Sequence, residues 1–171
     1  MRALLLAAMV SACATTGAVR DTTAEPASGS RATDFTLRDT EGRNVRLSDF
    51  AGKVVLIDFW ATWCQPCMAA IPHLQALYAK HGADGLVVLG VSMDGPESVA
   101  EVPSAVRNLG VTFPILLDEE TRVVSIYNPK RTAPLQVLVG RDGRIAQVRQ
   151  GYHPGDEAMI ETEVATALAA K

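Results

Sequence analysis

The sequence feature that most constrains the fold is an apolar run over residues 53–60, which leads directly into a helical segment. The run is rich in β-branched and aromatic residues, which is typical of a central strand covered on both faces. The pattern that follows predicts a helix from about Cys64 to Lys80, interrupted by Pro72. A second buried run over residues 86–92 completes a β-α-β unit, so we expect two parallel strands with a right-handed crossover.

The segments on either side of this unit predict the rest of an α/β domain. Residues 34–47 alternate polar and apolar around a turn, which indicates an N-terminal β-hairpin. Residues 95–118 predict short helices and a short strand, and therefore a central insertion. Residues 123–170 predict a short helix, two strands joined by a tight turn, and a closing helix.

The first dozen residues differ from the rest and predict an export signal. An apolar run over residues 3–10 is too short to span a bilayer but has the length of a signal-peptide core. It ends in Val-Ser-Ala-Cys at residues 10–13, which resembles a bacterial lipobox, a signal in which the cysteine, here Cys13, is lipidated. An ordinary cleaved signal peptide that happens to contain a cysteine is the alternative.

Composition divides the chain into three parts. Residues 1–12 are expected to be the signal peptide, and residues 13–32, dominated by small, polar, Pro and Gly residues, a flexible tether. Residues 33–171 are expected to fold as one domain, which is an ordinary size. The net charge of −3 and the absence of a clustered basic segment argue against a nucleic-acid partner.

The chemistry is expected at Cys64 and Cys67, three residues apart at the start of the predicted helix. This spacing places them one turn apart on one face, where they can close a small disulfide. The positive end of the helix favours the thiolate of Cys64, which is the attacking species in disulfide exchange. Cys67 lies deeper and can attack a mixed disulfide once it has formed. Cys13 is the odd cysteine of an exported chain, and lipidation accounts for it.

Two other uses of such a cysteine pair must be weighed. A structural zinc site usually needs four ligands, and the chain offers only His73, His81 and His153 beyond its cysteines, with no paired spacing among them. A purely structural disulfide that closes so short a loop would constrain the unfolded chain little. Redox chemistry is therefore favoured over both.

Residues 55–67 resemble the active-site strand and helix of the thioredoxin superfamily. Residues 34–37 and 109–114 narrow the resemblance to the membrane-tethered TlpA/ResA-like thioredoxins of bacteria, over about residues 33–170. The resemblance implies a thioredoxin fold with a central mixed sheet. It implies disulfide exchange with exported protein substrates on the periplasmic side of the envelope, by a monomer without metal or organic cofactor. It also implies a membrane electron donor of the DsbD/CcdA kind.

The resemblance assigns roles at the catalytic centre. Cys64 matches the nucleophile, Cys67 the resolving cysteine, and Asp58 the buried carboxylate behind the resolving cysteine. Asp58 also interrupts an apolar strand, and burial raises the pKa of a carboxyl, which suits a proton acceptor for Cys67. The alternative is an Asp at a strand end, solvated and without function.

Three further residues are expected to bind the substrate. Trp63 is expected to flank the disulfide as a hydrophobic docking surface. Pro134 matches the cis-proline that faces the disulfide, although sequence alone gives an X–Pro bond only about a 5–6% chance of being cis. The backbone of Ala133 could then pair with an extended substrate as an added strand does.

The sequence departs from the family pattern at three positions. Ala70 stands where ResA-like members often carry a Glu, which puts a haem-maturation role in doubt. Ala133 stands where Thr or Val is commoner. Gln65 places no charge between the cysteines, which favours a reductant over a strong oxidant.

Two other functions compete with disulfide exchange. A peroxiredoxin-like peroxidase would place its nucleophilic cysteine after a Pro and a Thr, an arrangement that this chain lacks. A metallochaperone would deliver copper through the dithiol of Cys64 and Cys67, and a metal titration of the reduced protein would reveal it.

Overall fold

The computed structural model describes residues 26–170, which form a seven-stranded mixed sheet with helices on both faces. The strands are β1 (Thr36–Asp39), β2 (Asn44–Arg46), β3 (Val54–Trp60), β4 (Leu86–Ser92), β5 (Ile115–Leu117), β6 (Leu135–Val139) and β7 (Ile145–Gln150). The helices are α1 (Gln65–His81), α2 (Val102–Asn108), α3 (Arg122–Tyr127) and α4 (Glu157–Ala169), with 3₁₀ turns at Leu47–Phe50 and Val99–Glu101.

The strand β3 lies at the centre of the fold. The strand order is β2-β1-β5-β4-β3-β6-β7, with β3 parallel to β4 and antiparallel to β6. Every residue of β3 is buried, because β3 has a strand on each side and helices over both faces. The predicted β-α-β unit and its central strand are confirmed.

Two hydrophobic layers cover the sheet, and alternate residues of β3 enter each of them. Leu56 and Trp60 pack in the layer that also contains Cys67 and the inner sides of α1, α2 and α4, which we call the α1 face. Ile57 and Phe59 pack in the opposite layer, against α3 and the N-terminal hairpin. Because side chains alternate along a strand, Asp58 must lie on the α1 face.

The predicted additions to the central unit are also confirmed. The hairpin is β1 and β2, and the insertion is α2 and β5. The inserted β5 pairs in parallel with β4 and in antiparallel with β1, so it joins the hairpin to the central strands. Pro103 lies in the first turn of α2, where its missing N–H costs little.

The folded domain begins earlier than the predicted boundary at residue 33. Gly29 N–H donates to the carbonyl of Ile145 at 2.7 Å, and Ile145 N–H donates to the carbonyl of Ser30 at 2.8 Å. Residues 28–32 therefore run alongside the start of β7, and their assignment to the flexible tether is wrong. The composition of this stretch is that of a linker, but its backbone groups find partners on the edge of the sheet.

The predicted signal peptide, Cys13 and the tether up to residue 25 lie outside the described residues. Within residues 26–170, no helix combines the length and the apolar character needed to cross a membrane.

Candidate active site

The two cysteines lie at the N-terminal end of α1 and form a disulfide, with 5.3 Å between their Cα atoms. Cys64 immediately precedes the helix, and its Sγ accepts a hydrogen bond of 3.3 Å from the backbone N–H of Cys67. Pro66 occupies the first turn, where its missing N–H breaks no helical hydrogen bond. A helix N–H directed at Sγ, together with the positive helix end, stabilises a thiolate on Cys64.

Exposure differs among the residues around the disulfide. Cys67 is fully buried at 0% exposure, Cys64 retains 5%, and the adjacent Trp63 is 60% exposed. A protein that approaches this end of the sheet therefore meets the indole of Trp63 and the sulfur of Cys64 before it can reach Cys67. This division suits Cys64 to the first attack and Cys67 to the second.

Asp58 is buried in the middle of β3, with 1% of its surface exposed. Neither carboxyl oxygen has a hydrogen-bond partner among the described residues. Burial therefore raises the pKa of Asp58 to about 7, and the nearby amide of Gln136 offsets this rise only in part. The alternative of a solvated Asp at a strand end is excluded.

The carboxyl of Asp58 lies in the same water-poor layer as the resolving cysteine. Both side chains belong to the α1 face, one from the central strand and one from the first turn of α1. A carboxyl that titrates near neutral pH in this layer can exist as a carboxylate that accepts a proton or as an acid that holds one.

The Ala133–Pro134 peptide bond is cis, as the sequence comparison with thioredoxins suggested. Pro134 directly precedes β6, whose first residue Leu135 lies opposite Phe59 near the end of β3. Ala133 packs against the layer that contains both cysteines. The cis-proline loop therefore lies at the same end of the sheet as the disulfide.

Asn128, which the sequence analysis missed, holds this loop in place. Its side chain is buried, donates to the carbonyl of Thr132 at 2.6 Å and accepts from the N–H of Thr132 at 3.0 Å. The loop before Ala133 is thereby closed on itself. The only signal in the sequence was an Asn followed by a Pro at the end of a helix, which indicates a turn but no role at a site.

Asp94, also missed, anchors the loop that leads to the cysteines. Its buried carboxyl accepts the hydroxyl of Thr62 at 2.6 Å, the N–H of Thr62 at 3.0 Å and the hydroxyl of Ser92 at 2.9 Å. These bonds tie the segment between β3 and α1 to the end of β4. An Asp two residues after the end of a buried strand was the available signal.

In residues 26–170, no three His, Cys, Asp or Glu side chains stand close enough together to hold a metal ion.

Comparisons with known proteins agree on one family. Residues 28–148 match the model of the AhpC/TSA family. The thiol-disulfide oxidoreductase ResA of Geobacillus kaustophilus is 36% identical over 123 residues, covering 72% of this chain and 69% of the relative. The ResA of Bacillus subtilis is 33% identical over 123 residues, which cover 72% of this chain and 67% of that relative. This chain belongs to the AhpC/TSA family, among the thiol–disulfide oxidoreductases related to ResA.

Structural similarity supports the same assignment. A crystal structure of a candidate thiol:disulfide interchange protein DsbE from Chlorobium tepidum has a TM-score of 0.79 and 29% identity, covering 85% of this chain and 100% of that one. The fold is thus the thioredoxin fold, as predicted. As a ResA relative, the protein is a thiol–disulfide oxidoreductase, and Cys64 and Cys67 have the spacing of its redox-active pair.

The burial of Asp58 predicts how stability depends on pH. Between about pH 4 and pH 7 the unfolded chain has an ionised Asp58, whereas the folded protein still holds the proton, so stability is lost as the pH rises through about 7. A shift of about three pH units corresponds to up to about 4 kcal/mol. Asp58→Asn keeps the shape and removes this effect. In denaturant unfolding of the oxidised protein, D58N should match the wild type near pH 4 and exceed it at pH 8.

The exposed Glu119 provides the control for this measurement. Glu119→Gln changes the net charge equally and should leave the pH dependence of the wild type in place. A D58N curve parallel to the wild type from pH 4 to pH 8 would show that Asp58 is ionised throughout.

Proposed function

We propose that this protein exchanges disulfides with exported protein substrates and works as a reductant. The observation that carries the proposal is the arrangement of Cys64, next to the exposed Trp63, above a fully buried Cys67 at the positive end of α1. That arrangement separates a nucleophile beside the exposed surface from a fully buried resolving thiol, which suits a two-step exchange.

In the first step, the Cys64 thiolate attacks one sulfur of a substrate disulfide. A bond forms between Cys64 Sγ and that sulfur, the substrate S–S bond breaks, and the other substrate sulfur leaves as a thiolate that takes a proton from water. The Cys67 N–H that points at Cys64 Sγ and the helix end favour the attacking thiolate.

In the second step, Cys67 resolves the mixed disulfide. Its thiol gives a proton to the Asp58 carboxylate, and the resulting thiolate attacks Cys64 Sγ. The Cys64–Cys67 bond forms, the mixed disulfide breaks, and the substrate is released with both sulfurs reduced. The burial of Cys67 supports a requirement for an internal proton acceptor, because water has little access to its thiol.

We assign substrate binding to Trp63, Ala133 and Pro134. The exposed indole offers apolar surface beside Cys64. The backbone of Ala133 can pair with an extended substrate segment as an added strand does. Ala133 has no hydroxyl, so this pairing should accept many sequences.

The direction of electron flow is inferred from the residues around the cysteines. Gln65 and Pro66 add no charge that would stabilise the reduced state further, which favours a reductant. A reductant outside the cytoplasm needs a membrane electron donor, for which the DsbD/CcdA kind is suitable. Ala70, buried in α1 beyond Cys67, provides no carboxyl where ResA-like members often carry a Glu, so we do not extend the proposal to haem maturation.

We place the protein on the periplasmic side of a bacterial envelope, anchored by lipid on Cys13. The support is the apolar run at residues 3–10 and the lipobox-like residues 10–13. Lipidation would also remove the one thiol that could attack the active-site disulfide.

Removal of the resolving cysteine should trap substrates. Cys67→Ser leaves the Cys64 thiolate able to attack but leaves no thiol to release the product. Mixed disulfides with exported proteins should accumulate on non-reducing gels and disappear with reductant. The matched Cys64→Ser variant should trap none. Trapping by C64S and not by C67S would reverse the two roles, and rapid peroxide consumption by the wild type would favour a peroxidase instead.

The role of Asp58 can be measured with Ellman's reagent on the reduced protein. Attack by Cys64 releases a first coloured thiolate, and resolution by Cys67 releases a second, so stopped-flow absorbance separates the two steps. Asp58→Asn should slow the second phase at pH 7 by up to about 100-fold, with the first phase much less affected. C67S should show the first phase alone. Equal second phases in D58N and wild type would remove Asp58 from the mechanism.

Replacement of Cys13 should release the protein from membranes. In a bacterial host, Cys13→Ala should move the protein from the membrane to the soluble fraction, with both Ellman phases unchanged. Metabolic labelling with a fatty acid is the direct measurement. A wild-type protein that takes up no label would contradict the proposed anchor.

A further inference from the structure

A row of polar side chains crosses the sheet beside the active-site carboxyl. The two residues in register with Asp58 are Gly90 on β4 and Gln136 on β6. Gly90 has no side chain, whereas Gln136 is itself in register with Arg149 on β7. Residues directly opposite each other on paired strands project from the same face. Asp58, Gln136 and Arg149 therefore form one line on the α1 face, which we call the polar row.

Each member of the polar row has buried polar atoms that find no hydrogen-bond partner among residues 26–170. These atoms are both carboxyl oxygens of Asp58, Nε2 of Gln136 and Nε of Arg149. Such atoms are rare in folded proteins, and each calls for an explanation. Because three neighbouring residues of one row each carry such atoms, we infer that the row has a role beyond packing.

The polar row ends in an ion pair between Arg149 on β7 and Glu163 on α4. Arg149 Nη2 lies 2.6 Å from Glu163 Oε1, and the two side chains are only 14% and 27% exposed. Gln136, Arg149 and Glu163 also line one small recess between the sheet and α4. The row thus leads from the buried carboxyl of Asp58 to a partly buried pair of opposite charges at the protein surface.

We propose that Gln136, Arg149 and Glu163 are positioning residues that together set the proton affinity of Asp58. The inference rests on the proposed function in that Asp58 is the proton acceptor for Cys67. Two strand spacings separate Arg149 from Asp58, about 10 Å at the backbone. In a protein interior of low polarity, the charge of one group still affects the ionisation of another group at this distance.

The direction in which each neighbouring side chain should shift the pKa of Asp58 follows from its charge or polarity. The positive charge of Arg149 favours the ionised carboxylate and the negative charge of Glu163 opposes it, while the polar amide of the neighbouring Gln136 favours the ionised form. Because Arg149 and Glu163 are paired, their effects largely cancel in the wild type. Removal of one partner should therefore expose the effect of the other.

Other ionisable groups around the α1 face lie off the polar row. They include Cys67, His73, Lys80 and His81 on α1, Glu157 and Glu161 on α4, and Tyr152 after β7. The hydroxyl of Tyr152 donates to Glu157, and Glu161 pairs with Lys80. These groups are present in every variant of the row, so a comparison among variants isolates the contributions of Gln136, Arg149 and Glu163.

The test is a direct titration of Asp58 by carboxyl carbon NMR in the full folded domain, with the Asp58 signal assigned from its loss in D58N. Glu163→Gln should lower the pKa of Asp58 by about half a unit, because Arg149 is left unpaired. Arg149→Met should raise it by a similar amount, and Arg149→Lys should restore the wild-type value. Gln136→Met should also raise it.

The control is Glu161→Gln, which removes the same charge from the same helix but outside the row. It should leave the Asp58 titration unchanged. If R149M does not fold, the opposite shifts in the pKa of Asp58 that are expected in E163Q and Q136M still test the inference. Unchanged titrations in both of these variants, or a shift in E161Q as large as that in E163Q, would overturn the inference.

The second phase of the Ellman reaction separates this inference from the proposed function. Its pH midpoint should move down in E163Q and up in Q136M, in step with the NMR titration. If D58N slows the second phase but E163Q and Q136M shift neither its pH midpoint nor the Asp58 titration, the role of Asp58 is upheld. The proposed influence of the polar row on Asp58 is then overturned. Shifts of the Asp58 titration without any D58N defect would uphold the row and remove Asp58 from the mechanism.

Discussion

The burial of β3 on both faces is the constraint on which the rest of the structure depends. All seven of its residues are inaccessible, because β4 and β6 flank it and helices cover both of its faces. A carboxyl placed within such a strand loses its water, which is why the pKa of Asp58 rises to about 7. The same strand ends just before the cysteines, so one element both carries the buried carboxyl of Asp58 and leads directly to the disulfide.

The active site is assembled from the ends of three strands. The loop after β3 carries Cys64, the end of β4 is followed by Asp94, and the start of β6 is preceded by Pro134. Parallel β3 and β4 end at the same edge of the sheet, and the antiparallel β6 begins there. Asp94 and Asn128 then fix the loops by buried hydrogen bonds. Two side chains thus hold the loops around the disulfide, while Trp63 beside Cys64 is left exposed.

The residues around the cysteine pair and Asp58 differ in this chain from the pattern of ResA-like proteins. Membership of the family follows from the extent of the sequence match and from the shared fold. This chain has Ala70 in place of a carboxyl residue, and it has a polar row that runs from Asp58 to the Arg149–Glu163 pair. Since charge acts through the protein interior over such distances, a charged pair at the far end of the row can influence the protonation of the buried carboxyl.

The order of elements, the central strand and the cysteine pair were determined by the sequence itself, because hydrophobic periodicity and a short motif are local properties. The start of the domain was predicted too late, since residues 28–32 have the composition of a linker and gain order only from the edge of β7. The role of Asp94 could not be predicted, because its partner Thr62 lies on a loop that only the fold brings near. The contact of Asn128 with Thr132 is local, but only the fold places that loop at the same end of the sheet as the disulfide. The polar row depends on register: Asp58, Gln136 and Arg149 are far apart in the chain, and only strand pairing aligns them on one face.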